Sequence, residues 1–216
     1  MAATTQLALL SLCWTAYGLI HTLLASHRCK AWFRNRYPEG FRAYRLTFNI
    51  VSAVLLVPPL WLMLSYPGET LWRWPPIFGW LADGAALAAL IGFAWSMKMY
   101  DTGEFLGISQ LRQAAAALDD QSPMRLSVAH RFVRHPWYFF SLVIIWSREM
   151  NAAWLVSAAV LTLYLLVGSR LEEAKLMVVY GEQYRRYRQR VPAFIPRPWR
   201  YLRRQEAQDI LAMGKH

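Results

Sequence analysis

A chain of 216 residues, 56% of them hydrophobic and only 17% charged, carries more apolar surface than an ordinary soluble domain. Its formal net charge of +11 would suit a membrane surface or nucleic acid, but the basic residues gather at the ends of apolar runs and form no separate basic domain, which argues against nucleic acid. Cys13 and Cys29 lie sixteen residues apart, ~24 Å along a helix, and share no CxxC or Cys/His pattern, so neither a disulfide between them nor a metal motif is expected.

In chain order, residues 6–26 form the first apolar run, long enough to cross ~30 Å of hydrocarbon. It is not expected to be a cleaved signal peptide, because it lacks a basic leading region and its positive charges follow the run. His21, late in this run, reads as a packing or hydrogen-bonded histidine, whereas His27 and His216 carry no signal. Residues 46–66 are a second span, with Pro58 and Pro59 expected to bend or interrupt its later half. Residues 79–100 are a third, rich in Ala and Gly, as close helix packing favours. The stretch after Trp137 is too long for one span and holds Arg148-Glu149-Met150-Asn151 in its middle, so it reads as a helical hairpin with arms at 137–147 and 152–169. Trp and Tyr crowd the ends of the runs, at Tyr66, Trp72, Trp74, Trp80, Tyr100, Trp137 and Tyr138, as an interfacial belt would.

The expected fold class is therefore an all-α integral membrane protein, one domain over 1–216, with about five transmembrane helices including a C-terminal hairpin. Lys and Arg are dense in 27–45, 101–136 and from 170 onward, and sparse in 67–78, where only Arg73 occurs. That alternation puts the N-terminus outside and the C-terminus in the cytoplasm.

Ionisable groups bracket the hairpin: Arg134-His135-Pro136-Trp137-Tyr138 before it and Arg170-Leu171-Glu172-Glu173 after it. Charges kept beside a membrane are functional candidates by default. Pro136 suits the first turn of a helix, where its missing N–H costs nothing. Counting from a turn near Met150, His135 and Glu172 differ in depth by about 10 Å at helical rise. Arg134, His135, Arg170 and Glu172 would share one mouth, although charges at span ends also snorkel to headgroups. In the tail, Tyr180, Tyr184 and Tyr187 fall at i, i+4 and i+7. They suit an amphipathic helix on an anionic membrane, or an aromatic wall against a flat cationic ligand.

Four motifs in order, Arg-His-Pro-x-Tyr at 134–138, Arg-x-Glu-Glu-x-x-Leu at 170–176, Tyr-Gly-x-x-Tyr-x-x-Tyr at 180–187 and Val-Pro-x-x-Ile-Pro at 191–196, resemble the isoprenylcysteine carboxyl methyltransferase family. Its wider relatives include phospholipid and methanethiol methyltransferases. The resemblance implies a cytoplasmic cofactor-binding segment over about 125–196 that encloses S-adenosylmethionine. It implies that Arg134, His135, Pro136 and Tyr138 line the pocket, that Glu172, beside Glu173 and Leu176, holds the cofactor's amino group, and that Tyr184 and Tyr187 close over it. Arg170 would be a substrate-facing cation, and His130 a base for a thiol proton. The segments from His21 to Ser26 and from Asp101 to Gln110 look like those of small-substrate bacterial members, and also like membrane proteins associated with nitrogen-oxide metabolism. His130 stands where prenyl-cysteine enzymes often carry Tyr, and Gln121-Ser-Pro-Met-Arg125 lacks their His, which shifts the expectation away from prenyl-cysteine.

The implied activity is S-adenosylmethionine-dependent transfer of a methyl group to a small thiol or to a lipophilic thiol, carboxyl or amine acceptor. Expected partners are that small or lipid-like acceptor and membrane lipids, in a bacterial cytoplasmic membrane with the site facing the cytoplasm. The alternative is a non-catalytic or reductase-like membrane protein on the same scaffold, although no G-x-G-x-x-G dinucleotide fingerprint is present. A transporter is disfavoured because no two-fold internal repeat is visible.

Overall fold

A computed structural model of the chain describes residues 3–98, 101–112 and 124–213. Tyr100, Gln121, Ser122, Pro123 and His216 lie outside the described residues. The chain is built of helices: α1 (Ala3–Ala25), α2 (His27–Arg36), α3 (Tyr44–Ser65), α4 (Pro76–Met97), α5 (Thr102–Leu106), α6 (Ile108–Leu111), α7 (Pro136–Trp146), α8 (Ala152–Arg190) and α9 (Arg204–Ala212). Two short strands, β1 (Thr70–Trp72) and β2 (Met150–Asn151), pair antiparallel.

Four of the described helical stretches are long and apolar enough to cross a membrane: Ala3–Ala25, Glu39–Ser65, Pro76–Met97 and Ala152–Arg190. Their outward residues, such as Leu64 at 71% and Trp80 at 79% exposure, suit lipid and not water. These helices identify a multi-pass membrane protein. α7 has 11 residues, ~16 Å of helix against ~30 Å of hydrocarbon, and is a short apolar helix. α3 runs unbroken through Pro58 and Pro59, so the expected interruption does not occur. The observed starts of α1, α3 and α4 fall two or three residues ahead of the expected spans, which is ordinary for helix ends.

The contacts divide the chain into two compact units. The first takes residues 1–79, 100–119 and 149–164. Its core joins Leu10 and Trp14 of α1, Leu62 of α3 and Ala153 of α8. The Trp14 indole N–H donates to Ser157 Oγ at 2.8 Å, and His21 Nδ1 shares a 2.8 Å hydrogen bond with the Tyr164 hydroxyl. His21 is thus the hydrogen-bonded histidine that the sequence suggests. Gly18 lets α1 approach α8, since a Cβ there would sit 2.9 Å from the Tyr164 ring. Residues 101–112 pack on the start of α3, where Asn49 Nδ2 donates to the carbonyls of Phe105 (3.1 Å) and Leu106 (3.0 Å). Gly107 is obligatory there: its φ is +89°, and a Cβ would meet the Leu46 nitrogen at 2.5 Å.

The second unit takes residues 80–99, 120–148 and 165–216. α7 lies antiparallel to α4. The Trp137 indole donates to Ser96 Oγ at 2.8 Å near one end, and Arg148 pairs with Asp83 at 2.9 Å near the other. Between them, Gly92 leaves room for the Phe140 ring, which a Cβ would meet at 2.8 Å. α8 is broken at Gly181, where φ is 51° and ψ is −122°. Arg188 Nε nevertheless reaches Glu173 Oε2 at 3.1 Å. Fifteen residues of straight helix would hold those positions ~22 Å apart. The chain therefore reverses at Gly181, and residues 182–190 fold back along the end of the helix that precedes them. A core of Tyr184, Tyr187, Val191, Leu202, Ala207 and Ile210 fills the space beneath α9.

Candidate active site

The site is assembled from the entry to α7 and the two limbs of α8. An unbroken α8 of 39 residues would be ~58 Å long, twice the hydrocarbon thickness, and its apolar part ends near Gly168, so Arg170 and all that follows lie beyond the crossing.

Glu173 is the hub. Its side chain is 9% exposed and meets three cations: Arg134 (Nη2 at 2.7 Å, Nε at 2.8 Å), His135 Nε2 at 3.0 Å and Arg188 Nε at 3.1 Å. Burial alone would raise its pKa, but hydrogen bonds from His135 and Arg134 outweigh burial and lower it. Arg134 does more than neutralise. Its guanidinium also donates to the carbonyls of Arg188 (3.1 Å) and Val191, capping the last turn of α8 where orphan carbonyls collect.

His135 precedes Pro136, the first residue of α7, and is 5% exposed. Its ring lies against both Tyr138 (5.3 Å, 10° interplanar) and Phe194 (5.5 Å, 28°), which also lie against each other at 6.3 Å, so the three rings form one cluster. Nδ1 faces Glu172 Oε2 at 3.4 Å while Nε2 faces Glu173. Burial works against the charged ring, yet the two carboxylates prevail and raise its pKa. His135 and Glu172 are therefore in contact and not ~10 Å apart in depth. The difference arises because residues 147–151 include the extended strand β2 and do not make the compact turn on which that count rests.

Glu172 differs from its neighbour. Its side chain is 48% exposed, and His135 is its one ion-pair partner among the described residues. His130 sits in a short 3-10 turn, its Nδ1 sharing a 2.7 Å hydrogen bond with Ser127 Oγ. Burial lowers its pKa to about 4, the pull of Glu172 opposing and the charge of His135 assisting. Tyr187, 2% exposed, donates from its hydroxyl to the His130 carbonyl at 2.8 Å. Tyr184 is equally buried, but its hydroxyl has no hydrogen-bond partner among the described residues. Leu176 packs on the same tyrosine core. Arg170 lies on the exposed side of α8.

The structure thus brings Arg134, His135, Tyr138, Glu172 and Glu173 into one contact network, with His130, Tyr184 and Tyr187 beside it and Leu176 beneath. Arg170, one turn before Glu173 on α8, is exposed, and among the described residues no ion pair or hydrogen bond joins it to that network. Sequence reasoning missed Phe194 and Arg188. Phe194 lies inside the Val-Pro-x-x-Ile-Pro motif at a variable position, and Arg188 is one of several tail arginines with nothing local to distinguish it. The signal for the reversal was present: a Gly directly after Tyr180 inside a helical pattern.

A buried carboxylate with three cations beside a half-exposed carboxylate and stacked rings can hold an ammonium and a flat heterocycle. The described residues contain no cluster suited to a metal ion. No family model and no solved structure matches the chain. Among curated proteins it is similar to a methanethiol S-methyltransferase of Pseudomonas deceptionensis, 31% identical over 84% of this chain and 70% of that protein. Methanethiol S-methyltransferase 2 of Bradyrhizobium diazoefficiens is 32% identical over 91% of this chain and 74% of that protein. The methanethiol S-methyltransferase of Mycobacterium tuberculosis is 27% identical over 86% and 76%. At such identity and coverage the chain belongs to the methanethiol S-methyltransferase family, within the isoprenylcysteine carboxyl methyltransferase-like membrane proteins.

Proposed function

We propose that this protein is an S-adenosylmethionine-dependent methyltransferase whose acceptor is a small thiol, methanethiol first among them. The observation that carries the reading is the division of labour between adjacent carboxylates. Glu173 is saturated by Arg134, His135 and Arg188, whereas Glu172 keeps a half-exposed carboxylate beside the cluster of the His135, Tyr138 and Phe194 rings. The cofactor fits that arrangement. Glu172 would hold its ammonium, Tyr138 and Phe194 would lie against its adenine or sulfonium, and the unpartnered Tyr184 hydroxyl would gain a polar atom. Bound there, S-adenosylmethionine would supply a sulfonium-activated methyl group for in-line displacement by sulfur.

The protein's own residues have less to do than in acid–base catalysis, because alignment and exclusion of water dominate. His135, pinned between two carboxylates, fixes the position of Glu172. His130, held neutral with a pKa of about 4, is a poor base, and its part would be to accept a hydrogen bond from the thiol, whose proton passes to water as S-adenosylhomocysteine leaves. Arg170, exposed and beyond the crossing, is the cation available to guide an acceptor approaching from water. The Lys and Arg alternation supports a cytoplasmic site, reached by an N-terminus outside.

The test is incubation of purified protein with labelled S-adenosylmethionine and, separately, methanethiol, a prenyl-cysteine and phosphatidylethanolamine. Labelled dimethyl sulfide in the headspace is the expected product. Methylation of the prenyl-cysteine or the lipid without dimethyl sulfide would reassign the acceptor, and calorimetric binding of NADPH in place of S-adenosylhomocysteine would reject the cofactor.

A further inference from the structure

Beyond α8 the chain runs back beside the entry to α7. The N–H groups of Arg134 and His135 donate to the carbonyls of Pro192 (2.9 Å) and Ala193 (3.1 Å), and Leu202 N–H donates to the Arg131 carbonyl (2.9 Å). The first turn of α7 is level with the last turn of α4, since Trp137 bonds Ser96 one residue before Met97. α4 is one of the crossing helices. Residues 192–202 therefore lie where apolar crossing gives way to water.

In the middle of this stretch is a tight turn. Arg200 N–H donates to the Arg197 carbonyl at 3.0 Å, closing four residues with Pro198 second and Trp199 third. Proline at the second position fixes φ in advance, so the tip is stiff. Trp199 on that tip is 77% exposed, and Ile195 is 73% exposed. Arg197, Arg203 and Arg204 are exposed around them. A rigid indole held outward among arginines matches neither a packed core nor a polar loop. It matches the headgroup level of a bilayer, where an indole rests its ring on acyl chains and its N–H in the polar layer.

We propose that the turn at residues 197–200 is a membrane-surface anchor, in which Trp199 inserts among lipid headgroups and Arg197, Arg203 and Arg204 engage the phosphates of anionic lipids. Charge selects the lipid. Each arginine near an anionic surface changes the seated fraction by roughly fivefold, and zwitterionic lipid offers no such gain. The anchor stands independently of which acceptor is methylated.

The test places a nitroxide label at Trp199→Cys in the full chain carrying Cys13→Ala and Cys29→Ala, in nanodiscs of phosphatidylcholine with or without phosphatidylglycerol. The label should collide with oxygen in preference to a water-soluble nickel complex, and the seated, immobile spectral component should grow with phosphatidylglycerol. Arg197→Gln with Arg204→Gln should cut that growth by roughly fivefold per arginine. A label at Ile195→Cys repeats the test with Trp199 in place, should its loss disturb the turn. Nickel collisions at both positions as frequent as at a label on exposed Gln208 would overturn the proposal. So would spin–spin broadening that vanishes on dilution with unlabelled protein, which would assign the face to a second copy of the chain.

Discussion

Two glutamates one position apart have opposite tasks, and substitution separates them. Glu173→Gln strips the anion from Arg134, His135 and Arg188 at once. Arg134 and His135 are the buried two of the three, and leaving a buried charge without its partner costs about 3–5 kcal/mol, so a large fall in thermal midpoint is expected in a detergent-based unfolding scan. Glu172→Gln should leave that midpoint nearly unchanged and weaken S-adenosylhomocysteine by about 1.5–3 kcal/mol in calorimetry, the worth of a hydrogen bond between charged partners. Equal affinity in wild type and Glu172→Gln would remove Glu172 from the ammonium site. The two histidines give opposite pH dependences. For His130 the unfolded ring binds a proton near its ordinary 6.5 that the folded ring refuses until about 4. Its contribution is full above 6.5 and is lost as pH falls through that window. For His135 the folded pKa is raised above 6.5, so its contribution is full below that value and fades as pH rises through the elevated one. Thermal midpoints measured against pH should show His130→Asn flattening the acid decline and His135→Asn flattening the alkaline one. The motif residues that make this network were legible as chemistry, because charge beside an apolar run demands a reason. Which carboxylate is buried was not, since Glu172 and Glu173 are the same residue type and only the direction from which Arg134 and Arg188 arrive distinguishes them.

Helices gave up their positions to sequence reasoning unevenly, and for a physical reason. α1, α3 and α4 are long apolar runs that must satisfy their own backbone in lipid, so their existence follows from composition. α7 and the two limbs of α8 are decided by tertiary contacts instead. Ser96 receives Trp137, Gly92 admits Phe140, and Gly181 reverses the chain, and none of these pairings is local. The reversal can be tested directly. A Cβ at Gly181 would meet nothing within 4 Å, so Gly181→Ala has only the backbone to contend with. Its φ of 51° with ψ of −122° is a conformation side chains avoid, at about 1–3 kcal/mol. We expect a lowered thermal midpoint together with weakened S-adenosylhomocysteine binding, because residues 182–190 carry Tyr184, Tyr187 and Arg188. Loss of stability with ligand affinity intact would detach the folded-back limb from the site.

For the molecule as a whole, the count of crossings decides which side the C-terminal segment occupies. Four crossings would leave residue 202 on the same side as residue 75, whereas a fifth contributed by α7 puts them on opposite sides. The Lys and Arg alternation favours the fifth, so reporter fusions after Pro75 and after Leu202 should read outside and inside. Both reading outside would make α7 a helix that enters without crossing. Arg148 and Asp83 mark the end of α7 away from His135. Their pair is partly exposed, so Arg148→Ala should cost no more than about 1 kcal/mol of stability and leave cofactor affinity unchanged. The fold-back at Gly181 has a further consequence, for how the protein is made. Glu173 leaves the ribosome fifteen residues ahead of Arg188, after the last apolar crossing is already complete. During that interval the carboxylate has Arg134 and His135 available but not its third cation, and the Arg188 and Val191 carbonyls that Arg134 will cap do not yet exist. The network around Glu173 is therefore closed only after the crossings are made, and a message truncated between codons 173 and 188 yields an inserted membrane protein in which that network was never finished.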